Sequence, residues 1–374
     1  MKFTKLSLIA ALAASAAIAG GDIAPVEPVV EAPAAESATT IEGKITGYYY
    51  TDDMFDEMFG SDHQLALGVT LDVSHKFTDW LTANFSAVGY LNTLEDSTLG
   101  YFFEGDKKGA YFNVANLTAT FDGTTLVAGR QLLGTPMLQG YDWLLAPGSF
   151  EAYTLMNTSI ENLTLVGSYV TKVRFNNTGE FGDDLPGDNF AFGAAYDDKT
   201  LSGSIWYYNI DAADYSQFYG DLGYNFGSVK VEGQFASTDF DGADDSTVFG
   251  AKVSTSLEGF DLSAAYNHLT DNVTGYIGWN GLYTNSWNSS VADQWDGDID
   301  AFKLDVSKSF DALSAEVSYA YYDNDRYEFD VILGYEVSKS VSVGAVYVNY
   351  ESAYTEAFVD DSVNQVELFV NYKF

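Results

Sequence analysis

The sequence predicts an all-β protein, a transmembrane antiparallel β-barrel of about eighteen strands. First, segments of roughly ten to twelve residues alternate between apolar and polar side chains from Thr40 onward, which is typical of strands with one face in an apolar medium. Second, the connections between these segments alternate between short and long, as in barrels that cross a membrane. Third, aromatic residues make up 16% of the chain, and no proline falls within a candidate strand, as a continuous hydrogen-bonded sheet requires.

The composition excludes several classes of function. The 374 residues include 54 acidic and 17 basic side chains, which give a formal net charge of -37. Such an acidic chain is unsuited to nucleic acid, which selects basic surfaces. The absence of cysteine excludes disulfide bonds, thiolate catalysis and cysteine-bound zinc or iron–sulfur centres.

The N-terminal segment predicts export from the cytoplasm. Residues 1–19 begin with two lysines within five positions, continue as an apolar run and end on small residues, the pattern of a secretory signal peptide cleaved before Gly20. An uncleaved spanning helix is the alternative, although the apolar run is short for one. Residues 20–39 are rich in proline, alanine and glutamate and predict a flexible periplasmic linker. The barrel is therefore predicted to occupy residues 40–374.

The alternation that defines the strands is clearest near the C-terminus. In the stretch RYEFDVILGYEVS, one face carries Tyr327, Phe329 and Val331. The charged Glu328 and Asp330 lie on the opposite face, so the segment predicts a strand between lipid and a polar interior. The same pattern predicts eighteen strands, at 40–50, 64–77, 80–91, 110–121, 124–132, 149–157, 162–174, 189–197, 199–209, 214–225, 227–238, 246–257, 260–270, 299–309, 312–323, 326–338, 340–351 and 362–374.

The connections predict two different ends of the barrel. Short turns such as Asp122-Gly123 and Glu258-Gly259 predict the periplasmic end, and longer connections, the largest at 271–298, predict extracellular loops. Tyrosine and tryptophan gather near strand ends, where amphipathic rings suit a membrane interface. The alternative is a secreted β-sandwich or propeller whose apolar face meets a second sheet. In that alternative, the long connections should not segregate so regularly.

The final stretch, NQVELFVNYKF, predicts how the barrel closes. Leu368, Val370 and Tyr372 alternate with polar residues such as Glu367, so that one face suits lipid and the other a lumen. The strand must pair with the first one, because an unpaired edge in hydrocarbon leaves backbone groups without hydrogen bonds. Val370, Tyr372 and the terminal Phe374 resemble the C-terminal signal that outer-membrane assembly machinery recognises. That machinery is therefore an expected partner, as is the lipid of the outer membrane.

One long connection carries the most specific pattern. The stretch GRQLLGTPMLQGYDWLLAPGSFEAYTL, followed by TSIENLTLVGSYVTKV, resembles the corresponding region of the OprD-type and campylobacter-type major outer membrane porin families. The resemblance implies an eighteen-stranded channel, a constriction loop at about 133–149 that folds into the lumen, and a homotrimer. It extends in pattern over residues 40–374, but in individual residues only over about 125–173.

Charged residues beside this loop are the candidates for lining the constriction. Arg130, Lys172 and Arg174 lie near the same ends of neighbouring predicted strands, in the polar phase. Asp142 and Glu151 come from the loop or directly after it. Opposed basic and acidic groups would create a transverse field that orients polar solutes in a narrow passage. The alternative is that Arg130 pairs with loop carboxylates and holds the loop folded.

The sequence therefore predicts a porin of the bacterial outer membrane, a passive diffusion channel for small hydrophilic solutes and ions. The excess of acidic residues favours cations, and a structural or adhesive surface barrel without an open pore is the alternative. No enzyme is expected, because the three histidines form no obvious constellation with serine and aspartate. No cofactor is expected either, although the acidic loop residues Asp296, Asp298 and Asp300 are weak candidates for binding calcium.

Overall fold

The computed structural model describes residues 38–60, 63–93, 101, 103–271, 273–294, 297–359 and 361–374. The predicted signal peptide, 1–19, and nearly all of the predicted linker, 20–39, lie outside these residues.

Eighteen antiparallel strands form one closed sheet, which confirms the predicted fold class and strand number. The first strand pairs with the last in a register that runs from Lys44 opposite Lys373 to Asp52 opposite Gln365. The sheet formed by the described residues therefore has no unpaired edge. Its strands are Thr39–Asp52, His63–Lys76, Leu81–Asn92, Lys108–Phe121, Thr124–Gln131, Ser149–Asn157, Leu163–Arg174, Asn189–Asp197, Leu201–Ile210, Tyr215–Asn225, Val229–Phe240, Ser246–Leu257, Phe260–Thr270, Ile299–Phe310, Leu313–Tyr322, Tyr327–Ser338, Val341–Glu351 and Val363–Lys373.

The two faces of the sheet differ as the alternation predicts. Leu65, Leu67 and Val69 are exposed on the outside of the strand His63–Lys76, whereas the intervening Gln64 and Ala66 are buried inside. Directly paired residues of neighbouring strands share a face, so the apolar surface continues around the barrel. The outside of the barrel is consequently apolar, and the buried residues lie within it.

Tight turns join the strands at one end of the barrel, which we call the short-turn end. Asp122 and Gly123 both have positive φ angles, of 40° and 81°, and Glu258 and Gly259 have φ angles of 53° and 76°. Two consecutive positive φ values make a type I′ turn, whose twist matches that of the strands it connects. The longer connections all lie at the opposite, long-loop end.

Two long-loop connections fold into the barrel. We call residues 132–148 loop L3 and residues 271–298 loop L7, of which 271, 273–294 and 297–298 are described. The two-residue strand Leu138–Gln139 of L3 pairs with Gly134–Thr135 and with Ile277–Gly278 of L7, which makes a second, three-stranded sheet. Met137 and Leu138 are buried against inward-facing side chains of the barrel wall, such as Tyr208. L3 and L7 therefore narrow the long-loop half of the barrel interior.

In the part of the chain that the structure describes, helical structure is confined to short segments of the connections. The described residues include the 3-10 turns Asp211–Ala213 and Val291–Asp293 and the α-helix Ala353–Glu356. Among the described residues, none of the helices has the length and apolar character needed to cross a membrane.

Candidate functional site

Arg174 fixes loop L3 against the barrel wall. Its guanidinium is fully buried and donates hydrogen bonds to the backbone oxygens of Ala146 and Pro147, at 3.1 and 2.6 Å. It also donates to Asn113 Oδ1 at 2.8 Å, on the strand Lys108–Phe121. The planar guanidinium offers five N–H donors in a fixed fork, which suits several acceptors at once. Arg174 thus joins the end of its own strand to L3 and to the strand Lys108–Phe121, which lies three places away in the sheet.

Glu104 supplies the counter-charge to Arg174 from another loop. We call residues 93–107 loop L2, of which 93, 101 and 103–107 are described. Glu104 Oε2 lies 3.2 Å from Arg174 Nη1, and Tyr111 donates its hydroxyl to Glu104 Oε1 at 2.7 Å. Burial raises the pKa of Glu104 to about 7, although Arg174 and the Tyr111 hydroxyl both lower it. The desolvation of the carboxylate outweighs these two favourable contacts.

Glu367 of the last strand anchors L3 and L7 together. The indole N–H of Trp143 in L3 donates to Glu367 Oε2 at 3.1 Å. The indole N–H of Trp287 in L7 donates to Oε1 at 2.8 Å, and the Gln365 amide donates to the same oxygen at 2.6 Å. Two inward loops therefore share one buried carboxylate of the closing strand.

Contacts between L3 and L7 complete the packing. The Tyr141 hydroxyl donates to the backbone oxygen of Trp287 at 2.7 Å, and the backbone N–H of Trp279 donates to the Gln139 oxygen at 2.9 Å. L3 also folds back on itself at Gly140, where a Cβ atom would lie 1.8 Å from the oxygen of Gly148. Only glycine permits this approach, because the added carbon would overlap the facing carbonyl.

The inner wall carries charged residues of both signs. Lys303 is buried and lies 2.8 Å from the Asp305 carboxylate, and Lys230 lies 2.6 Å from Glu232. Carboxylates outnumber amines among the inward positions of the described strands, which include Asp72, Asp221, Glu232, Asp305, Glu316, Glu328, Asp330 and Glu367 against Lys44, Lys230, Lys252 and Lys303. A low-dielectric wall concentrates the field of this acidic excess in the interior.

Comparison with known proteins identifies the fold. No family model and no curated protein matches the chain. Solved structures do match. They include OccAB1 of Acinetobacter baumannii, at 15% identity and a TM-score of 0.75 over 90% of this chain and 96% of that one. They also include the outer membrane protein OpdK of Pseudomonas aeruginosa, at 15% identity and 0.77 over 90% and 98%. OccK9 (OpdG) of the same organism matches at 18% identity and 0.74 over 90% and 98%.

The chain has the Occ barrel fold. This likeness confirms the eighteen-stranded architecture that the sequence resemblance implied. An identity below one residue in five leaves the chemistry of the interior to be argued from this chain's own residues.

In the Occ barrel, the five predicted constriction residues separate into two groups. Arg174 lies inside, where it binds L3. Asp142 also lies inside, where it lines a cavity of about 40 Å³ together with Lys44, Trp143 and Glu367.

The other three predicted constriction residues lie on the outward phase of their strands. Arg130 and Glu151 are directly paired, and their charged groups lie 3.7 Å apart. Glu151 alternates with the buried Phe150 and Ala152, so it shares its face with outward residues of the same strand. Lys172 is paired opposite Glu151 and lies 3.2 Å from Asp184. The structure thus brings these three residues together at the outer rim, away from the lumen.

Sequence reasoning did not single out L7, Glu104 or Glu367 as parts of the site. Glu367 does stand in the polar phase of the last strand, and L7 is the longest connection, with three of the six tryptophans of the chain, Trp279, Trp287 and Trp295. These signals mark a polar inward group and a tryptophan-rich loop, but they do not show that the two are in contact.

The remaining predicted residues belong to the C-terminal signal and to the acidic loop. Val370, Tyr372 and Phe374 are exposed on the outer face. Asp298 accepts the backbone N–H of Asp271 and Asp300 accepts from Tyr266, whereas Asp296 lies outside the described residues. Within the described residues, no three histidine or acidic side chains are grouped so as to hold a metal ion.

Proposed function

We propose that this protein is a diffusion channel of the bacterial outer membrane that passes small hydrophilic solutes and inorganic ions. The observation that carries the proposal is a closed barrel with an apolar outside and a charged inside, narrowed by two inward loops. A closed barrel satisfies every strand hydrogen bond within hydrocarbon, and a polar inner wall replaces part of the hydration of a passing solute.

The structural neighbours support this function. OpdK is described as an outer membrane protein, and one of its structures contains vanillate. A barrel of the same fold therefore admits a small aromatic carboxylate. For this chain the acidic inner wall favours cations instead, because carboxylates attract and amines repel them.

L3 and L7 together form the proposed constriction, with Asp142 as its acidic group and Arg174 as its anchor. Arg174 is fully engaged by L3, Asn113 and Glu104, so its role is to position the loop. Arg130, Glu151 and Lys172 stabilise the outer rim in this proposal. The exposed C-terminal alternation at Val370, Tyr372 and Phe374 serves recognition by the assembly machinery.

Planar bilayer recordings test the proposal. Purified protein should give stepwise conductance, and its reversal potential in a salt gradient should indicate cation preference. The Asp142→Asn variant should reduce that preference, whereas Glu161→Gln, in a short turn far from L3, should leave it unchanged. A protein that folds in the bilayer but never conducts would contradict the proposal and favour a structural or adhesive surface barrel.

A further inference from the structure

An apolar groove crosses the outer face of the barrel at the seam, where the first and last strands pair. The groove has a volume of about 590 Å³ and extends from Leu313 on one side of the seam to Leu65 on the other. Leu313 begins its strand directly after the short turn at Asp311-Ala312, so this side of the groove starts at the short-turn end. From there the groove follows directly paired outward residues across the closing strand and the first strand.

Small side chains form the floor of the groove. Ala345 is directly paired with Leu333 and Leu368, which flank it and are 40% and 44% exposed. Gly47 also lies on the outward phase, and a Cβ atom added there would have its nearest neighbour, on Leu67, at 3.7 Å. The depression is therefore caused by missing side-chain volume within a continuous sheet.

The groove is closed on the side of the lumen. Gly334 and Gly344 form a direct pair on the inward phase behind it. The ring of Phe369 covers Gly344 from inside so closely that no Cβ atom would fit between them. A molecule in the groove is consequently accessible from the membrane and does not reach the constriction formed by L3 and L7.

The surroundings restrict what can fill the groove. Its residues lie on the face that meets hydrocarbon, where water is absent, so an acyl chain or another protein must occupy it. Neighbouring strands are about 4.8 Å apart, so a groove that crosses the pairings from Leu313 to Leu65 is roughly 24 Å long. One acyl chain spans half of the hydrocarbon core, about 15 Å. The groove can therefore hold the full length of one chain.

Charged groups at the short-turn end of the groove decide between the two occupants. Lys339 is exposed in the turn after the strand Tyr327–Ser338, and Tyr335 of that strand lines the groove. Lys373 is exposed on the adjacent closing strand, and its backbone N–H donates to the same turn at 2.8 Å. The exposed Glu336 adds a carboxylate. An apolar groove with charges of both signs at one end matches a phospholipid, whose chain and headgroup are divided in the same way.

We infer that one diacyl phospholipid of the periplasmic leaflet binds at the seam, with an acyl chain in the groove and its phosphate beside Lys339. The ammonium group of the lysine attracts the phosphate, and the tyrosine hydroxyl of Tyr335 suits the boundary between chain and headgroup. The site is on the outer face, so it does not depend on an open pore. A barrel that never conducts would bind the lipid equally.

Native mass spectrometry of the full chain, refolded from urea into lipid-free detergent micelles, tests the inference. Addition of palmitoyl-oleoyl phosphatidylethanolamine should give one retained lipid per chain before any further lipid binds. Ala345→Phe fills the floor of the groove and should weaken this retention at least tenfold. The matched control, Ala251→Phe, adds the same ring to an exposed outward position of the strand Ser246–Leu257, outside the groove, and should retain the lipid as the parent does. Ala345→Leu takes the place of the phenylalanine variant if that variant does not fold.

Lys339→Gln separates the headgroup from the chain. This variant should retain the phospholipid more weakly than the parent, whereas retention of a diacylglycerol with the same chains, which lacks the phosphate, should be equal in both. The inference is overturned if the parent retains no lipid, or if Ala345→Phe retains it as the parent does. It is also overturned if the parent is an oligomer that Ala345→Phe dissociates, because a second copy of the barrel then covers the groove.

Discussion

Replacement of Arg174 with alanine tests whether one guanidinium holds loop L3 inside the barrel. The side chain is completely buried and contacts Glu104 of L2, the backbone of L3, Asn113 of the wall and the backbone oxygen of Thr178, which follows its own strand. Its guanidinium also lies 4.7 Å from the centre of the Tyr111 ring. Removing it takes away the counter-charge of Glu104 and the charged donor to Ala146 O and Pro147 O, which keep only the neutral amide donors of Asn176 and Asn113.

The expected cost follows from this burial. Removing one partner of a buried, hydrogen-bonded ion pair typically destabilises a protein by about 3–5 kcal/mol. Arg130→Ala is the matched control, because it removes the same side chain from a pair that is 3.7 Å apart and about one-third exposed. Pairs of that kind contribute roughly 0–1 kcal/mol. The two variants differ in burial rather than in the chemistry that is removed.

Urea unfolding in lipid vesicles, followed by tryptophan fluorescence, measures both costs. Trp143 lies in L3 itself, so its emission also reports whether the loop has left the interior. The double variant Arg174→Ala/Glu104→Gln should recover part of the loss, because the uncompensated carboxylate is then gone. Equal destabilisation by Arg174→Ala and Arg130→Ala would refute the anchoring role of Arg174.

Three further predictions concern the interior. The pKa of Glu104 is raised in the folded protein to about 7, whereas the pKa of a glutamate in an unfolded chain is near 4.3. Protonation of Glu104 therefore stabilises the fold fully below pH 4.3, and this stabilisation is lost as the pH rises through 7. The urea midpoint should therefore fall between pH 5 and pH 8, and this fall should shrink in Glu104→Gln but not in Glu180→Gln. Glu367→Ala should leave the indole N–H groups of Trp143 and Trp287 without an acceptor, which costs about 1–3 kcal/mol of stability for each group. The loosened loops should increase the current noise in bilayer recordings, and noise equal to the parent's would contradict the role of Glu367 as a shared anchor. Gly140→Ala should displace L3 and expose it to protease, whereas Gly242→Ala, with open space around it, should resist cleavage like the parent.

The strand pattern was predictable because side-chain alternation is a local property. In the last strand, Leu368 and Val370 face outward while Glu367 and Asn371 face inward, as the period of two requires. The same alternation repeated in every segment gave the strand number, and the alternation of short and long connections gave the two ends of the barrel.

The interior of the barrel was only partly predictable. The predicted loop 133–149 does enter the barrel, but L7 enters with it. Arg130 and Lys172 were predicted to face inward from their polar phase, and Glu151 from its position directly after the loop. Their pairing with residues of known face places all three outward. A register shift between Glu151 and Ala152 shows how one extra residue moves side chains to another face.

The sequence alone therefore determined a closed, two-faced barrel, because the alternation of apolar and polar side chains in each strand shows which face meets lipid and which meets polar groups. Only the tertiary structure decided what fills that barrel. The contact between Trp143 and Glu367 joins positions 224 residues apart, and that between Trp287 and Glu367 joins positions 80 apart. Such contacts depend on where the loops lie once the barrel has closed, and the spacing of residues along the sequence does not predict them.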